Sequence, residues 1–254
     1  MKNITLIGLF LWVIATNAQL KPIIYQDETQ KLNGFVSKPQ KNLKDKPGIL
    51  ILPAWRGIDN LSKETAQKLS KLGYFAFIAD IYGEGNVPKD NAEAGQKAGF
   101  YKKNYELYLK RIQLALNQLI INGANPNKIV VIGYCFGGTG ALEAARANMK
   151  VQGVVSFHGG LAKEATREIH QMVPKVLVCH GADDPFVSAN EVNAFQQEMK
   201  TAKADWQMIY YANAVHSFTN PETGTDNSQG AAYNEKAAQR SWLHFINFIN
   251  EILK

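Results

Sequence analysis

Lys128-Ile129-Val130-Val131-Ile132-Gly133-Tyr134-Cys135-Phe136-Gly137-Gly138 is the stretch on which the fold turns. Residues 128–134 predict a strand and 137–149 a helix, with one cysteine at their junction. A Gly-x-nucleophile-x-Gly pattern between strand and helix needs small residues two before and two after the nucleophile, because the tight turn brings backbone segments very close. The turn also holds the nucleophile in a strained conformation that points it out of the sheet. A helix N-terminus favours the thiolate, lowering the free value of about 8.5 to roughly 3.5–7.5 in such surroundings. A buried cysteine in a Gly-rich turn is the plain alternative. The strand and helix fall where the motif requires them, and this favours a nucleophile.

Strands and helices alternate on both sides of this elbow. Upstream, 48–53 is a continuous apolar run bounded by breakers, as in a strand buried on both faces. Residues 61–72 have helical spacing ended by Gly73, 74–81 return to strand, and 82–90 form a Gly/Pro/polar loop. A long helical stretch covers 92–121, broken near Tyr101. Short strands at 23–26 and 32–37 precede the main body, with Asn33-Gly34 read as a turn or a bulge. Downstream come strands at 151–157, 175–179 and 206–211, a helix over 189–199, and a last helix from about 231 to 253. That helix aligns Trp242, Phe245, Ile246, Ile249 and Leu253 on one face. The alternation predicts an α/β fold: a mostly parallel central sheet with helices on both faces, in one domain over 19–254.

The chain has 254 residues, 46% hydrophobic and 20% charged, which excludes wholesale disorder and collagen-like or coiled-coil repeats. A chain this long buries roughly 70–75% of its unfolded surface, so its core needs neither disulfides nor metal. Two cysteines, Cys135 and Cys179, exclude a disulfide scaffold or a Cys-rich zinc site. A single bridge between them would leave the elbow redox-regulated or inert, and it requires Cα atoms within about 7 Å. The net charge of +6 is spread without a run of like charges, so it reads as solvated surface and not as a nucleic-acid footprint.

Residues 1–18 have the layout of a secretory signal peptide cleaved before Gln19: a basic Met1-Lys2-Asn3, an apolar 4–16, and small Thr16 and Ala18 at −3 and −1. Periplasmic or extracellular localisation follows. An uncleaved membrane anchor is the rival, but the apolar run is short for a ~30 Å hydrocarbon core. No metal or organic cofactor is expected, since the histidines lack i, i+4 pairing and no Gly-rich dinucleotide fingerprint appears. A monomer or weak homodimer is expected, without a nucleic-acid partner or a stable membrane anchor.

Chain order narrows the partners of Cys135. In α/β-hydrolases the nucleophile precedes the acid and the acid precedes the histidine. His244 lies in the terminal helix and His170 in a polar loop, whereas His158, His180 and His216 each follow a strand. Only His216 comes after both Cys135 and an acid. Asp183 and Asp184 both stand in the turn after the preceding strand, and Asp80 ends a more distant one.

Gly133-Tyr134-Cys135-Phe136-Gly137-Gly138, then Gly181-x-x-Asp184-x-Phe186-Val187, then His216-Ser217-Phe218 resemble the three signatures of the dienelactone hydrolase family. The resemblance covers essentially the whole chain after the leader, including 48–57 and Phe157-His158-Gly159. It implies an α/β-hydrolase fold and a Cys-His-Asp triad acting on lactones and other esters through an acyl-thioester. It selects Asp184 over Asp183 and assigns the oxyanion donors to the backbone N–H groups of Trp55 and Phe136. Two positions depart from the family's type members. Ala54 stands where they carry a glutamate that contacts the thiol, and Asn220 stands where they carry an arginine for the substrate carboxylate.

Arg56, Tyr82, His158 and Phe218 are candidate pocket-lining residues, with Trp55 and Phe136 beside them, although ordinary packing explains each equally well. Two other functions fit the same residues. One is an esterase of acetylated carbohydrates. The other, suggested by the missing glutamate, is a non-catalytic binding protein on the same fold.

Overall fold

The computed structural model describes residues 19–41 and 43–254; the expected leader over 1–18 lies outside the described residues. The chain opens with β1 (Leu20–Asp27) and β2 (Gln30–Ser37), followed by β3 (Gly48–Leu52), α1 (Asn60–Lys71), β4 (Phe75–Ile78), α2 (Asn91–Lys103) and α3 (Tyr105–Ile121). The elbow segment supplies β5 (Ile129–Tyr134) and α4 (Phe136–Arg146). Then come β6 (Gly153–Phe157), β7 (Lys175–Gly181), α5 (Ala189–Thr201), β8 (Trp206–Tyr211) and α6 (Glu235–Ile252).

One eight-stranded sheet runs in the order β1-β2-β4-β3-β5-β6-β7-β8. From β4 to β8 every neighbouring pair is parallel; β2 joins β4, and β1 joins β2, antiparallel. In β3 and β5 successive side chains go to opposite faces, as the pleat demands. Leu50, Leu52 and Val131 join a core with α2, α3, α4 and α5. Ile49, Ile51, Val130 and Ile132 join a second core with α1 and α6. Because both faces are covered, these strands are apolar at every position instead of alternating.

Several boundaries differ from expectation, each for a visible reason. Asn33-Gly34 makes neither a turn nor a bulge: the β1–β2 register is unbroken through Ile23↔Gly34 and Ile24↔Asn33, and the reversal falls at Glu28-Thr29. Gly34 is needed for close approach, since a Cβ there would lie 2.6 Å from the Ile78 carbonyl oxygen. The long helical stretch breaks at Asn104, which caps the end of α2 and starts α3. Strand β4 stops at Ile78 because Asp80 turns the chain, its carboxylate accepting the Asn33 and Gly83 amides at 2.8 and 2.9 Å. The last helix starts at Glu235, where Asn234 accepts the Ala237 amide at 3.0 Å. The residues just before it hydrogen-bond the loop that carries His216. No helix among the described residues is long and apolar enough to cross a membrane.

Candidate active site

The close approach at the elbow explains its glycines. A Cβ on Gly133 would overlap the Gly137 carbonyl, and one on Gly137 would overlap the Leu52 carbonyl at the end of β3. A Cβ on Gly138 would lie 2.7 Å from Ser156 Oγ on β6. Between these contacts Cys135 is held at φ 54, ψ −114, where a side chain other than glycine is strained. Its amide donates to the Phe157 carbonyl at 3.0 Å, fixing the turn against β6. The cysteine is half-buried, with α4 starting directly after it.

The loop after β8 brings His216 to the sulfur, with Nε2 3.0 Å from Cys135 Sγ. On the other side of the ring, Nδ1–H donates to Asp184 Oδ2 at 2.9 Å. Asp184 sits in the turn after β7, its side chain fully buried, with Oδ1 accepting the Phe186 amide at 2.9 Å. Asp183 is exposed, and Asp80 is occupied by the amides of its own turn, so of the three expected acids only Asp184 reaches the imidazole. Burial alone would raise the Cys135 thiol, but the hydrogen bond and charge of His216, with Lys102 and the Phe136 amide, hold it below its ordinary value. Burial alone would lower His216, but Asp184 and Cys135 push it up to about 10. Both directions favour negative charge on the sulfur and positive charge on the imidazole. Ala54, at the position of the family's thiol-contacting glutamate, carries no carboxylate.

Phe136 opens α4, so its N–H has no carbonyl one turn back and is directed at the sulfur instead. The Trp55 peptide is fixed from its other end, where Tyr82 Oη donates to the Trp55 carbonyl at 2.7 Å. No protein acceptor among the described residues takes the Trp55 N–H. Tyr82 also stacks on the Phe136 ring at 5.8 Å, and Phe136 stacks on Tyr108 at 4.5 Å, so one aromatic column supports both amides.

The candidate wall residues are divided. Tyr82 supports the Trp55 loop from within. Arg56 is exposed and binds Asn91 Oδ1 and the Lys89 carbonyl, tying that loop to the start of α2. Phe218 is fully buried in the core under α6, and so lines no open pocket. His158 packs behind His216. Asn220 caps a short turn by accepting the Glu222 amide at 3.0 Å. A cavity of about 370 Å³ lies between the end of α2 and the first turns of α4, with Lys102, Tyr108, Thr139, Gly160 and Phe186 among its walls; Cys135 and His216 are not part of its lining. Sequence reading missed Lys102, whose charge acts on the Cys135 thiol only because the end of α2 packs near the elbow in the folded chain. Cys135 and Cys179 are both free, so the disulfide alternative does not hold. Cys179 is buried on β7, and burial pushes its thiol up to about 12. Among the described residues no three His, Cys, Asp or Glu side chains gather to hold a metal ion.

A parallel sheet with a strained residue between strand and helix, under a histidine loop from the last strand, defines the α/β-hydrolase class of protein. Within it the chain belongs to the dienelactone hydrolase family, whose model matches residues 32–253. A dienelactone hydrolase-like promiscuous phosphotriesterase from metagenomic libraries superposes with a TM-score of 0.87 at 34% identity, over 93% of this chain and 99% of that one. A probable 2-oxo-3-(5-oxofuran-2-ylidene)propanoate lactonase of Bradyrhizobium is 28% identical over 214 residues, 80% of this chain and 83% of that protein. An uncharacterised protein of Caenorhabditis elegans is 33% identical over 144 residues, 56% of this chain and 91% of its own length.

Proposed function

We propose that the protein hydrolyses carboxylic esters, lactones included, with Cys135 as nucleophile, His216 as base and Asp184 as the group that orients it. The observation that carries this reading is one imidazole hydrogen-bonded on both sides, to sulfur at 3.0 Å and to a buried carboxylate at 2.9 Å. The thiolate attacks the ester carbonyl, and the π electrons move to oxygen, which the Trp55 and Phe136 amides receive. Losing one such donor typically costs about 10²–10³ in rate. The C–O bond then breaks, and the leaving alkoxide takes its proton from His216. In a lactone that alcohol stays attached to the acyl group. His216, now neutral, deprotonates a water that attacks the thioester, and sulfur leaves again as thiolate.

The test is turnover of a chromogenic short-chain ester and of an enol lactone by the wild type and Cys135→Ala, with mass analysis of acid-quenched protein. Turnover by the wild type alone, with an acyl adduct on Cys135, supports the reading. Equal turnover by both proteins defeats it and leaves the binding-protein alternative.

The site is further proposed to work outside the cytoplasm, on the strength of the leader-like 1–18. Expression of the full chain in an exporting host should yield a protein beginning at Gln19. An intact Met1 on protein retained in the cytoplasm would contradict this.

A further inference from the structure

The chain carries a second histidine at the site for which the reaction above has no use. His158 is the first residue past β6, held at φ 41 with its amide donating to the Cys179 carbonyl at 2.9 Å. A side chain other than glycine kept in the left-handed region beside a reactive site invites a functional explanation. Its ring is only 2% exposed. It meets the His216 ring edge-to-face at 5.3 Å and the Phe218 ring at 5.2 Å, and its Nε2 lies 2.8 Å from Thr219 Oγ1. One buried imidazole thus touches three residues of the four-residue segment that delivers the base.

That segment needs a support of this kind. Backbone bonds fix its main chain: His216 N to the Gly230 carbonyl at 3.1 Å, Ala232 N to the His216 carbonyl at 3.0 Å, and Asn234 N to the Phe218 carbonyl at 3.0 Å. None of them fixes the rotation of the His216 ring. Beyond Asp184 and Cys135, two rings touch it: Phe186, which is 62% exposed, and the buried His158. The firm wall is therefore His158, and its link to Thr219 keeps that wall and the loop in one piece.

We propose that His158 is a positioning residue which, clamped to Thr219, holds the His216 imidazole in line with Cys135 Sγ. Its charge state suits the task. Burial comes first and the positive charge of His216 second in keeping its proton off, with His180 acting the same way and only its own carbonyl opposing. Tyr134 completes its surroundings, 6.1 Å away between ring centroids. A neutral neighbour leaves the proton on His216, where the reaction needs it.

The inference rests on His216 being the base, and the test separates the two assignments. Two readouts on the whole protein serve: kcat and KM for a chromogenic ester, and the pH profile of Cys135 alkylation by iodoacetamide, which senses the thiolate without turnover. Thr219→Val deletes only the hydroxyl, His158→Phe keeps a ring without nitrogens, and His158→Gln keeps an amide within reach of Thr219. Thr219→Val and His158→Phe are expected to lower kcat about tenfold with KM within about twofold, and to move the acid limb of the alkylation profile upward. His158→Gln should recover most of both losses.

If Thr219→Val, folded by circular dichroism, keeps the wild-type kcat and alkylation profile, the proposal is overturned; this variant decides alone should His158→Phe not fold. His216→Ala tells the failures apart. An alkylation profile unchanged by it removes the base and the support together. A profile altered by it but not by the Thr219 or His158 variants removes only the support.

Discussion

Gly137 presses so closely on the Leu52 carbonyl that it has no room for a side chain, and this contact locks the elbow to the end of β3. Trp55 and Phe136, the two proposed oxyanion donors, each lie within a few residues of this locked pair. Gly137→Ala must push the start of α4 away from the end of β3. It is expected to cost more than about 3 kcal/mol by urea denaturation, in the range of severe backbone and overpacking changes. An unchanged midpoint would show that the elbow yields more easily than its geometry implies.

The Tyr82 hydroxyl reaches no farther than the Trp55 carbonyl, yet it orients the amide on the other side of that residue. Tyr82→Phe keeps the stack on Phe136 and loses only this bond. The expected result is a kcat reduced about tenfold with KM little altered, less than the 10²–10³ of a lost donor because the amide itself remains. Steady-state kinetics on one ester decides.

His216 is raised from 6.5 to about 10 in the folded protein, and Asp184 supports that rise. A group with a raised folded value contributes stability that is fully present below its unfolded value and lost as pH climbs through its folded one. For His216 the contribution is therefore whole below about pH 6.5 and gone above about pH 10. Thermal melting of wild type and Asp184→Asn should differ most near pH 6.5 and converge toward pH 10.5. A gap that widens as pH rises would contradict the assignment.

Behind the site, Arg146 on α4 binds Glu143 and, across to α5, Glu198, each at 2.8 Å, and all three side chains are under 10% exposed. Arg167 closes the group from the following loop by pairing with Glu143. Arg146→Met would strand Glu198 without a cation and should destabilise the fold by about 3–5 kcal/mol. Denaturant midpoints measure this, and a loss under about 1 kcal/mol would mean that water reaches the cluster.

The elbow was readable from sequence because its glycines, strand and helix are consecutive, and local sterics alone demand them. By position Asp183 and Asp184 were equal, and only the resemblance to the family's Gly181-x-x-Asp signature selected Asp184; the physical reason, burial of Asp184 against exposure of Asp183, exists only in the folded chain. The two hairpin strands were legible, but Asn33-Gly34 within the second also carries a turn or bulge signal, whereas that glycine answers a crowding imposed by β4, more than forty residues later. For Phe218 the sequence left pocket wall and ordinary packing equally open, and the loop turns it into the core under α6. His158 was legible as a candidate, but not its place behind the base, which depends on contacts between β6 and the loop after β8.

Cys135 and the imidazole hydrogen-bonded to it stand 81 positions apart in the chain, and the loop holding that imidazole is itself tied to Gly230, Ala232 and Asn234. A nascent polypeptide therefore carries that thiol without its imidazole partner. The pair can close only once the final tenth of the protein has been synthesised and has docked, so this contact is among the last that the emerging chain is able to make.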